Sequence, residues 1–196
     1  SAGVALAGGD LDVCKTAGEI DDLRAALEER SPAGSVGIGH TRWSTHGPPT
    51  DENAHPHTDP ESRVAVVHNG VIENYDTLRA ELEATGNTFV SDTDTEVIPH
   101  LVAHYLDEGD DHETAFRRTL DRLDGSYAVA AIIDGDDTIY CARHGTPLVV
   151  GIGDDSYFLA SDVPAFLERP SEVVYPEDGE IARIEPAIGV DDPSAQ

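Results

Sequence analysis

Methionine is absent from the 196 residues, and lysine and tryptophan each occur once, as Lys15 and Trp43. A chain without methionine cannot begin at a translation start as written, so we expect a segment upstream of Ser1. No apolar run approaches the roughly 20 residues needed to span a bilayer. The opening SAGVALAGGD also lacks the basic segment and the long apolar run of a signal peptide. We therefore expect a chain that neither crosses a membrane nor carries an export signal.

The two cysteines, Cys14 and Cys141, lie far apart in sequence and lack the spacing of a metal site. Cysteines of this kind are typically small buried apolar residues, and disulfides are rare in reducing compartments. We therefore expect both thiols to be buried and free, and the protein to be cytoplasmic.

Positive charge is scarce, since 12 basic residues stand against 39 acidic ones and give a formal net charge of −27. That balance argues against nucleic acid and anionic membranes as partners, because phosphates are bound by basic patches. An acidic, lysine-poor surface keeps a protein soluble at very high salt but destabilises the compact state by self-repulsion when salt is removed. We predict a halophilic, salt-requiring protein. The alternative is an acidic face that binds a cationic partner.

The chain is long enough for one buried core, so we expect one domain over residues 1–186 and a tail or linker at 187–196. Helical spacing of apolar residues predicts helices near 73–86, 94–109 and 112–123, with Asp94 or Thr95 capping the second. Clustered strands with helices between the clusters favour an α+β fold of antiparallel sheets covered by helices. The strands are predicted at 4–7, 35–43, 63–70, 126–133, 138–144, 148–152, 157–161, 172–175 and 179–185.

Three polar stretches stand where strands end or helices begin. In GHTRWSTHG, Arg42 follows a strand, and arginine suits bidentate capture of a carboxylate. In VVHNGVIEN, Asn69 and Gly70 follow a buried strand with no second strand after them, and two N–H donors at a strand terminus are the layout of an oxyanion hole. In SDTDTE, Asp94 could accept hydrogen bonds from a substrate ammonium.

Each stretch also has a simpler interpretation. Arg42 could make a surface salt bridge, Asn-Gly is ordinarily a hairpin turn, and Asp92 or Asp94 could cap a helix. Taken together, however, the three stretches make a site for an amino acid. Arg42 would bind the α-carboxylate, Asp94 the α-ammonium, and Asn69 with Gly70 an acyl transition state.

At this point the chain resembles a known family, the glutaminase domain of glucosamine-6-phosphate synthase, also called glutamine–fructose-6-phosphate aminotransferase (isomerizing). The resemblance covers residues 1 to about 185. It implies a four-layer αββα sandwich of the N-terminal-nucleophile hydrolase type, with two stacked antiparallel sheets flanked by helices. The stretches that carry it, in the family's order and spacing, are SAGVAL, GHTRWSTHG, NAHPH, HNGVIENYDTLRAEL, FVSDTDTEVI, GSYAVA, GTPLVVG and ASD.

The activity that the resemblance implies is hydrolysis of L-glutamine to glutamate and ammonia, for amination of fructose-6-phosphate to glucosamine-6-phosphate. Arg42 and Asp94 would hold the glutamine, and Asn69 with Gly70 would form the oxyanion hole. Residues 42–49 would close over the substrate and exclude water, as lids do. That loop includes the substrate-binding candidates Trp43, Thr45 and His46. Sugar-phosphate isomerase domains would follow, and the full-length protein would be a homodimer.

One feature departs from the family, whose nucleophile is a cysteine exposed as the first residue, with its own α-amine as general base. This chain starts at Ser1, which matches a position one strand and one helix further on, and neither Cys14 nor Cys141 matches the nucleophile. As given, the chain is therefore expected to bind glutamine without hydrolysing it. It is also expected to lack a central strand of one sheet, which would leave backbone groups unpaired.

Two other functions stay open on sequence grounds. The first is a glutamine-binding or regulatory module that lacks the nucleophile by nature. The second is a metallohydrolase that uses histidines, since HPH resembles a ligand pair. Against it, Arg42 would place a fixed positive charge beside the metal, and we expect no metal ion and no cofactor. The candidate ligands would be His40, His46, His55, His57 and Asp59.

Overall fold

The computed structural model describes residues 1–42, 48–154, 156–166 and 172–185, which form eleven strands and four α-helices. None of these helices combines the length and the apolar character needed to cross a bilayer. The helices are α1 Ile20–Arg30, α2 Tyr75–Ala84, α3 Val97–Asp107 and α4 His112–Leu120, with a short 3-10 helix at Val163–Phe166. The strands are β1 Ala2–Ala7, β2 Asp12–Thr16, β3 Val36–Thr41, β4 His57–Thr58, β5 Val64–Ile72, β6 Gly125–Ile133, β7 Ile139–His144, β8 Val149–Ile152, β9 Tyr157–Ala160, β10 Glu172–Val174 and β11 Ile181–Ile184.

The largest sheet has the strand order β11-β7-β6-β5-β4, and all its pairs are antiparallel. Its longest pairing joins β5 to β6, from Val64 opposite Ile133 to Ile72 opposite Gly125. Successive side chains point to opposite faces of a strand. Both faces of this sheet are buried along β6, where residues 127–133 are all buried. This is why β6 is a continuous apolar run in the sequence rather than an alternating one.

Two three-stranded antiparallel sheets, β2-β1-β3 and β10-β8-β9, complete the described strands. A cavity of about 290 Å³ lies between them, lined by residues 39–41 of β3 and 159–161 at the end of β9. Its other walls are residues 67–69 of β5 and 128–130 of β6. The cavity therefore lies between the edge strands β3 and β9 of the two small sheets, and strands β5 and β6 of the large sheet form its floor.

The outer core joins the large sheet to helices α2, α3 and α4. Leu78, Ile98 and Phe116, one from each helix, are at most 2% exposed and pack with Val66 and Val129 of the sheet. Burying side chains of this size contributes roughly 1.5–3 kcal/mol each. The three helices are therefore bound to the sheet mainly by apolar contact.

The opposite face of the large sheet packs against the small sheets, and α1 covers the outside. Ala65 and Ile132 meet Ile38 of β3 and Val150 of β8 in this second core. A third, smaller core places Leu23 of α1 on the β1–β2 pair. The order of layers is helix, sheet, sheet, helix, so the predicted four-layer α+β arrangement is confirmed.

All nine predicted strands and all three predicted helices are present, but β2, β4 and α1 were not predicted. Cys14 is the one buried residue of β2, and Leu23 is the one buried residue of α1. Elements that bury so few side chains have little apolar periodicity, which explains why the sequence pattern missed them. The predicted tail at 187–196 lies outside the described residues.

The predicted N-cap of α3 was wrong. Neither Asp94 nor Thr95 caps this helix, because its N-cap is Glu96. The side chain of Asp94 instead accepts a hydrogen bond from the backbone of Ile72 in β5. The carboxylate that was interpreted as a helix cap therefore ties the loop before α3 to the large sheet.

Candidate functional site

A cavity of about 210 Å³ brings together the residues that the sequence analysis assigned to an amino-acid site. Arg42, Asn69, Gly70 and Asp94 all line it, although they come from three separate stretches of the chain. Trp43, Thr45 and His46, the remaining predicted site residues, lie outside the described residues. The other residues of the lining are His40, Thr41, His55, His68, Thr93 and Thr95.

Arg42 directly follows β3 and is 8% exposed. Its backbone N–H donates to the carbonyl of Ser1 over 2.8 Å, which extends the β1–β3 pairing by one bond. Burial lowers the pKa of the guanidinium, and the negative charge of Asp94 opposes that shift. An arginine stays charged in either case. Arg42 is therefore a buried cation that lines the cavity rather than a surface residue.

Asp94 lies on the loop before α3 and is 6% exposed. One carboxylate oxygen, Oδ2, accepts the backbone N–H of Ile72 over 2.8 Å. The hydroxyl of Thr95 lies 3.4 Å from Oδ1. A carboxylate offers about four acceptor positions. Asp94 can therefore keep these bonds and still accept from an ammonium group in the cavity.

The loop that carries Asp94 is held by Glu96, whose side chain is buried. Its two carboxylate oxygens accept the backbone N–H groups of Val90 and Ser91 over 2.9 and 2.7 Å, and Oε2 also accepts the Ser91 hydroxyl over 2.5 Å. Burial by itself raises the pKa of Glu96, but the bonds from His100, Ser91 and Val90 outweigh it and lower the pKa to about 2. Glu96 is therefore ionised at neutral pH and fixes the loop.

Asn69 and Gly70 lie inside β5 rather than at its end, which corrects the predicted strand terminus. The strand continues to Ile72, and Gly70 pairs with Tyr127 of β6. Gly70 has φ +122°, and a Cβ placed there would come within 2.0 Å of the carbonyl oxygen of Ser126. Only glycine is compatible with that backbone and that approach. The Asn-Gly pair is thus a distortion within a strand, and the hairpin-turn interpretation is wrong.

Three histidines, His40, His55 and His68, line the cavity. His55 and His68 are each 5% exposed, and both approach the Thr95 hydroxyl, through Nε2 over 3.0 Å and Nδ1 over 2.8 Å. The same hydroxyl lies 3.4 Å from Oδ1 of Asp94. A hydroxyl has one proton and two lone pairs, so it can take part in all three contacts and donates in one of them. Thr95 thus connects both histidines to Asp94.

His55 and His68, which line the cavity, are neutral at neutral pH. Burial is the main cause that lowers the pKa of His55 well below its usual range, and repulsion from His57, His40 and His68 in their protonated forms and from Arg42 adds to it. Burial also lowers the pKa of His68 to about 4.

Among the described residues that line the cavity, Arg42 is the cation and Asp94 is the carboxylate. A lining with one group of each sign is complementary in charge to a small zwitterion.

The two cysteines are buried and free, as the sequence predicted. Cys14 packs in the small core under α1, and Cys141 packs between the large and small sheets. Burial raises the pKa of the Cys141 thiol to about 12. A thiol in that state is a poor nucleophile. Neither cysteine is among the residues that line the cavity, and Ser1 is not among them either.

Within the described ranges, no three His, Cys, Asp or Glu side chains converge as a group that could hold a metal ion. Of the proposed ligands, His55 and His57 direct Nε2 at the hydroxyls of Thr95 and Thr93. Asp59 accepts backbone N–H bonds from Arg63 and Val64 in its own turn. Of the two remaining candidates, His40 contacts Asn69 through Nε2, and His46 lies outside the described residues.

A family model for the glutamine amidotransferase domain matches residues 40–168, which include Arg42, Asn69, Gly70 and Asp94. The chain belongs to this family. Curated glutamine–fructose-6-phosphate aminotransferases (isomerizing) are similar to this amidotransferase domain along nearly all of it. The protein of Methanothermobacter thermautotrophicus is 48% identical over 193 residues, and that of Halobacterium salinarum is 54% identical over 185 residues. These alignments cover 98% and 94% of the chain but 33% and 30% of the relatives, so the chain spans about a third of their length.

Solved structures confirm the fold of the amidotransferase domain. The glutamine phosphoribosylpyrophosphate amidotransferase of B. subtilis superposes with a TM-score of 0.73 at 26% identity, over 94% of this chain and 42% of that one. A structure described as the allosteric regulatory enzyme of purine biosynthesis gives 0.74 at 27% identity, again over 94% and 42%. The four-layer sandwich is therefore of the N-terminal-nucleophile amidotransferase type.

Several residues that shape this cavity were not predicted to belong to an amino-acid site. His40 and His55 were considered as metal ligands and Thr95 as a helix cap, and His68 was given no role, yet all four line the cavity. A signal was present, since His40 and His68 interrupt otherwise apolar or small-residue strands just before Arg42 and Asn69. Sequence spacing could not show that the strands bring these histidines together.

Proposed function

We propose that this domain hydrolyses L-glutamine to glutamate and ammonia as the glutaminase part of a glutamine–fructose-6-phosphate aminotransferase. One observation carries the proposal. Arg42, Asp94 and the Asn69-Gly70 pair, which lie far apart in sequence, line a single cavity of about 210 Å³ in a glutamine amidotransferase domain. That volume suits a substrate of amino-acid size.

In this proposal, glutamine is oriented by both ends of its amino-acid group. Arg42 binds the α-carboxylate through two parallel hydrogen bonds, and Asp94 accepts from the α-ammonium. The side-chain amide of glutamine then reaches Asn69 and Gly70. Their N–H groups stabilise the negative charge that develops on the carbonyl oxygen during acyl transfer. Trp43, Thr45 and His46, which lie outside the described residues, would also bind the substrate, as the family resemblance implies.

The nucleophile in this proposal is a cysteine that precedes Ser1, as the family resemblance implies, with its α-amine as the base. The cavity between β3 and β9 supports this proposal, because Asn69 lines it as well as the cavity that contains Arg42 and Asp94. Ammonia would pass to sugar-phosphate isomerase domains in the remaining length of the protein, which would form a homodimer. The buried, free thiols suit a cytoplasmic location.

Glutamate release from L-glutamine in molar salt tests the proposal. We would compare the full protein encoded by the gene with the 196-residue chain, at equal concentrations, and measure glutamine binding to both by calorimetry. The full protein should release glutamate, whereas the 196-residue chain should bind glutamine without turning it over.

A matched variant of the full protein, Asp94→Asn, should lose affinity for glutamine because it removes the charge opposite the ammonium. Glutamine binding to both proteins without glutamate release from either would instead favour a binding or regulatory module. Absence of both binding and release would contradict the glutamine site itself.

A further inference from the structure

A hydrogen bond joins the two sheet layers at the site. The ring nitrogen Nε2 of His40, on β3, lies 2.6 Å from Oδ1 of Asn69, on β5. Asn69 is on the same face of β5 as Ala65 and Val67, which points across to the small sheets. His40 therefore meets Asn69 from the opposite layer, and the two residues are 29 positions apart in sequence.

The direction of this bond decides what Asn69 can do. An asparagine side chain has one oxygen that accepts and one NH₂ group that donates. If His40 donates from Nε2–H, the oxygen of Asn69 is held against His40 and its NH₂ group is left for the cavity. If the amide were turned over, its oxygen would face the developing oxyanion and repel it. For Asn69 to donate to an oxyanion, the group at the position of His40 must therefore be a hydrogen-bond donor.

His40 is itself held in place by its neighbours. Its ring stacks on that of His55, with centroids 4.3 Å apart and an angle of 29° between the planes. His55 is in turn bonded to the hydroxyl of Thr95, next to Asp94. Burial lowers the pKa of His40, opposed by hydrogen bonds of the ring to the Asn69 side chain and the His68 backbone, so at neutral pH the ring is neutral and carries a single proton. Among the described residues, Nδ1 of His40 has no hydrogen-bond partner, so a proton on Nε2 is the one that can be donated.

We propose that His40 is a positioning residue of the glutaminase reaction, which donates from Nε2–H to the Asn69 side-chain oxygen and thereby aims the Asn69 NH₂ group at the oxyanion. The proposal rests on the glutaminase function proposed above. His40 acts through Asn69 and has no bond of its own to make or break. The stack on His55 also links the orientation of Asn69 to the residues that surround Asp94.

Kinetics of the full protein test this role, with four variants: His40→Leu, His40→Gln, Asn69→Ala and the double variant His40→Leu/Asn69→Ala. His40→Leu should lower kcat about 10- to 100-fold, the usual effect of removing a residue that orients another, with KM changed less than about threefold. His40→Gln retains an N–H donor and should recover part of kcat. Because His40 acts through Asn69, adding His40→Leu to Asn69→Ala should cost less than about threefold more.

His57→Gln is the matched control, because His57 is a buried histidine of the same cluster whose Nε2 meets Thr93 rather than Asn69. It should keep kcat within about threefold of the unsubstituted protein. Neutron diffraction from crystals of the full protein gives a second readout, since it locates the proton on Nε2 of His40 and distinguishes the oxygen from the nitrogen of Asn69.

The outcomes separate this inference from the function on which it rests. Glutamate release that is unchanged in His40→Leu, or equal losses of kcat in His40→Leu and His57→Gln, would overturn the role of His40. A proton on Nδ1 alone, or an Asn69 nitrogen facing His40, would also overturn it. If the full protein released no glutamate, the glutaminase function would fall, and the inference, which states a role in that reaction, would fall with it.

Discussion

Asn69 and Gly70 are neighbours in β5 whose positions are fixed in different ways. Gly70 is fixed by its backbone, because φ +122° and the close carbonyl of Ser126 exclude a side chain. Asn69 is fixed by its side chain, through the bond to His40. Its substitution can therefore remove a donor from the site while leaving the strand in place.

Asn69→Ala should lower kcat for glutamine hydrolysis by an amount equivalent to about 2.7–4 kcal/mol in the barrier, the usual effect of losing one oxyanion donor. KM should change little, because the ground-state carbonyl carries less charge than the transition state. Steady-state glutamate release from the full protein measures both constants. Asn87→Ala, at an asparagine that bonds His100 and the end of α2, is the control and should leave kcat unchanged. Equal kcat in Asn69→Ala and the unsubstituted protein would rule out the oxyanion role.

Arg42→Lys should raise KM for glutamine about 10- to 100-fold, since lysine keeps the charge but loses the planar fork that binds a carboxylate through two bonds. The change in kcat should be smaller, because this contact is made alike in the ground state and the transition state. Arg24→Lys on the exposed face of α1, where the side chain is 70% exposed, is a matched control. An unaltered KM in Arg42→Lys would show that the α-carboxylate binds elsewhere.

At the scale of elements, two loops frame the cavity and are tied to each other. Asn53 accepts the backbone N–H of Asp92 over 2.8 Å and donates to the carbonyl of Pro48 over 3.0 Å. Lys15 of β2 donates to the carbonyl of Ala54 over 2.9 Å. The single lysine of the chain thus secures the loop that leads to His55. These bonds tie the loop that leads to His55 to the loop that leads to Asp94.

Glu96→Gln should reduce the free energy of unfolding by about 1–3 kcal/mol, because an amide offers one acceptor oxygen where the carboxylate uses two, and a buried donor loses its partner. Urea denaturation at constant molar salt measures the change. The matched control is Glu83→Gln on α2, where Glu83 pairs with Arg79 and is 50% exposed. That exposed substitution should stay within about 0.5 kcal/mol. Similar values for both variants would show that Glu96 does not hold its loop.

At the scale of the whole molecule, the large negative charge is the feature that we expect to affect stability most. The net charge of −27 is distributed along the chain, and the ion pairs within the described residues lie mostly at the surface. Exposed pairs contribute little individually, whereas repulsion among 39 acidic residues opposes the compact state. The buried His55, His57 and His68 make the stability depend on pH as well, because burial lowers their pKa values and keeps them neutral in the fold.

The unfolding midpoint should rise when potassium chloride is increased from about 0.05 to about 2 M, because the Debye length falls from more than 10 Å to less than about 3 Å. Thermal unfolding followed by circular dichroism measures the midpoint. Sucrose at matched osmolality is the control for general solute effects. A midpoint that is the same at both salt concentrations would contradict the halophilic prediction.

Acid should destabilise the fold through His57, whose pKa falls from 6.5 to about 3. Burial is the main cause, Lys15, Arg42 and His40 add to it, and Glu96 opposes it. The unfolded chain binds the proton first, so the stability is complete above about pH 6.5 and is lost as the pH falls towards 3. Between pH 7 and 5 the loss is about 2 kcal/mol for this histidine.

His57→Gln isolates this effect from the titration of the carboxylates. The fall in the free energy of unfolding between pH 7 and 5, measured by urea denaturation in molar salt, should be about 2 kcal/mol smaller in the variant. His104→Gln is the control, because His104 is 39% exposed on α3. Identical pH dependence in His57→Gln and the unsubstituted protein would show that His57 is not held neutral.

The sequence by itself determined the strands that are buried on both faces, the three helices over the large sheet, and the residue types at the cavity. Each depends on local information: β-branched runs, helical spacing, and Arg42, Asn69-Gly70 and Asp94 within short stretches. Only the tertiary structure decided how these stretches meet. It showed that β5 passes through Asn69-Gly70, that Glu96 rather than Asp94 caps α3, and that His40 bonds Asn69. The physical reason is that the site depends on contacts between residues far apart in sequence. The His40–Asn69 and His55–Thr95 pairs are separated by 29 and 40 positions, and they form only when the elements pack together, which no local pattern encodes.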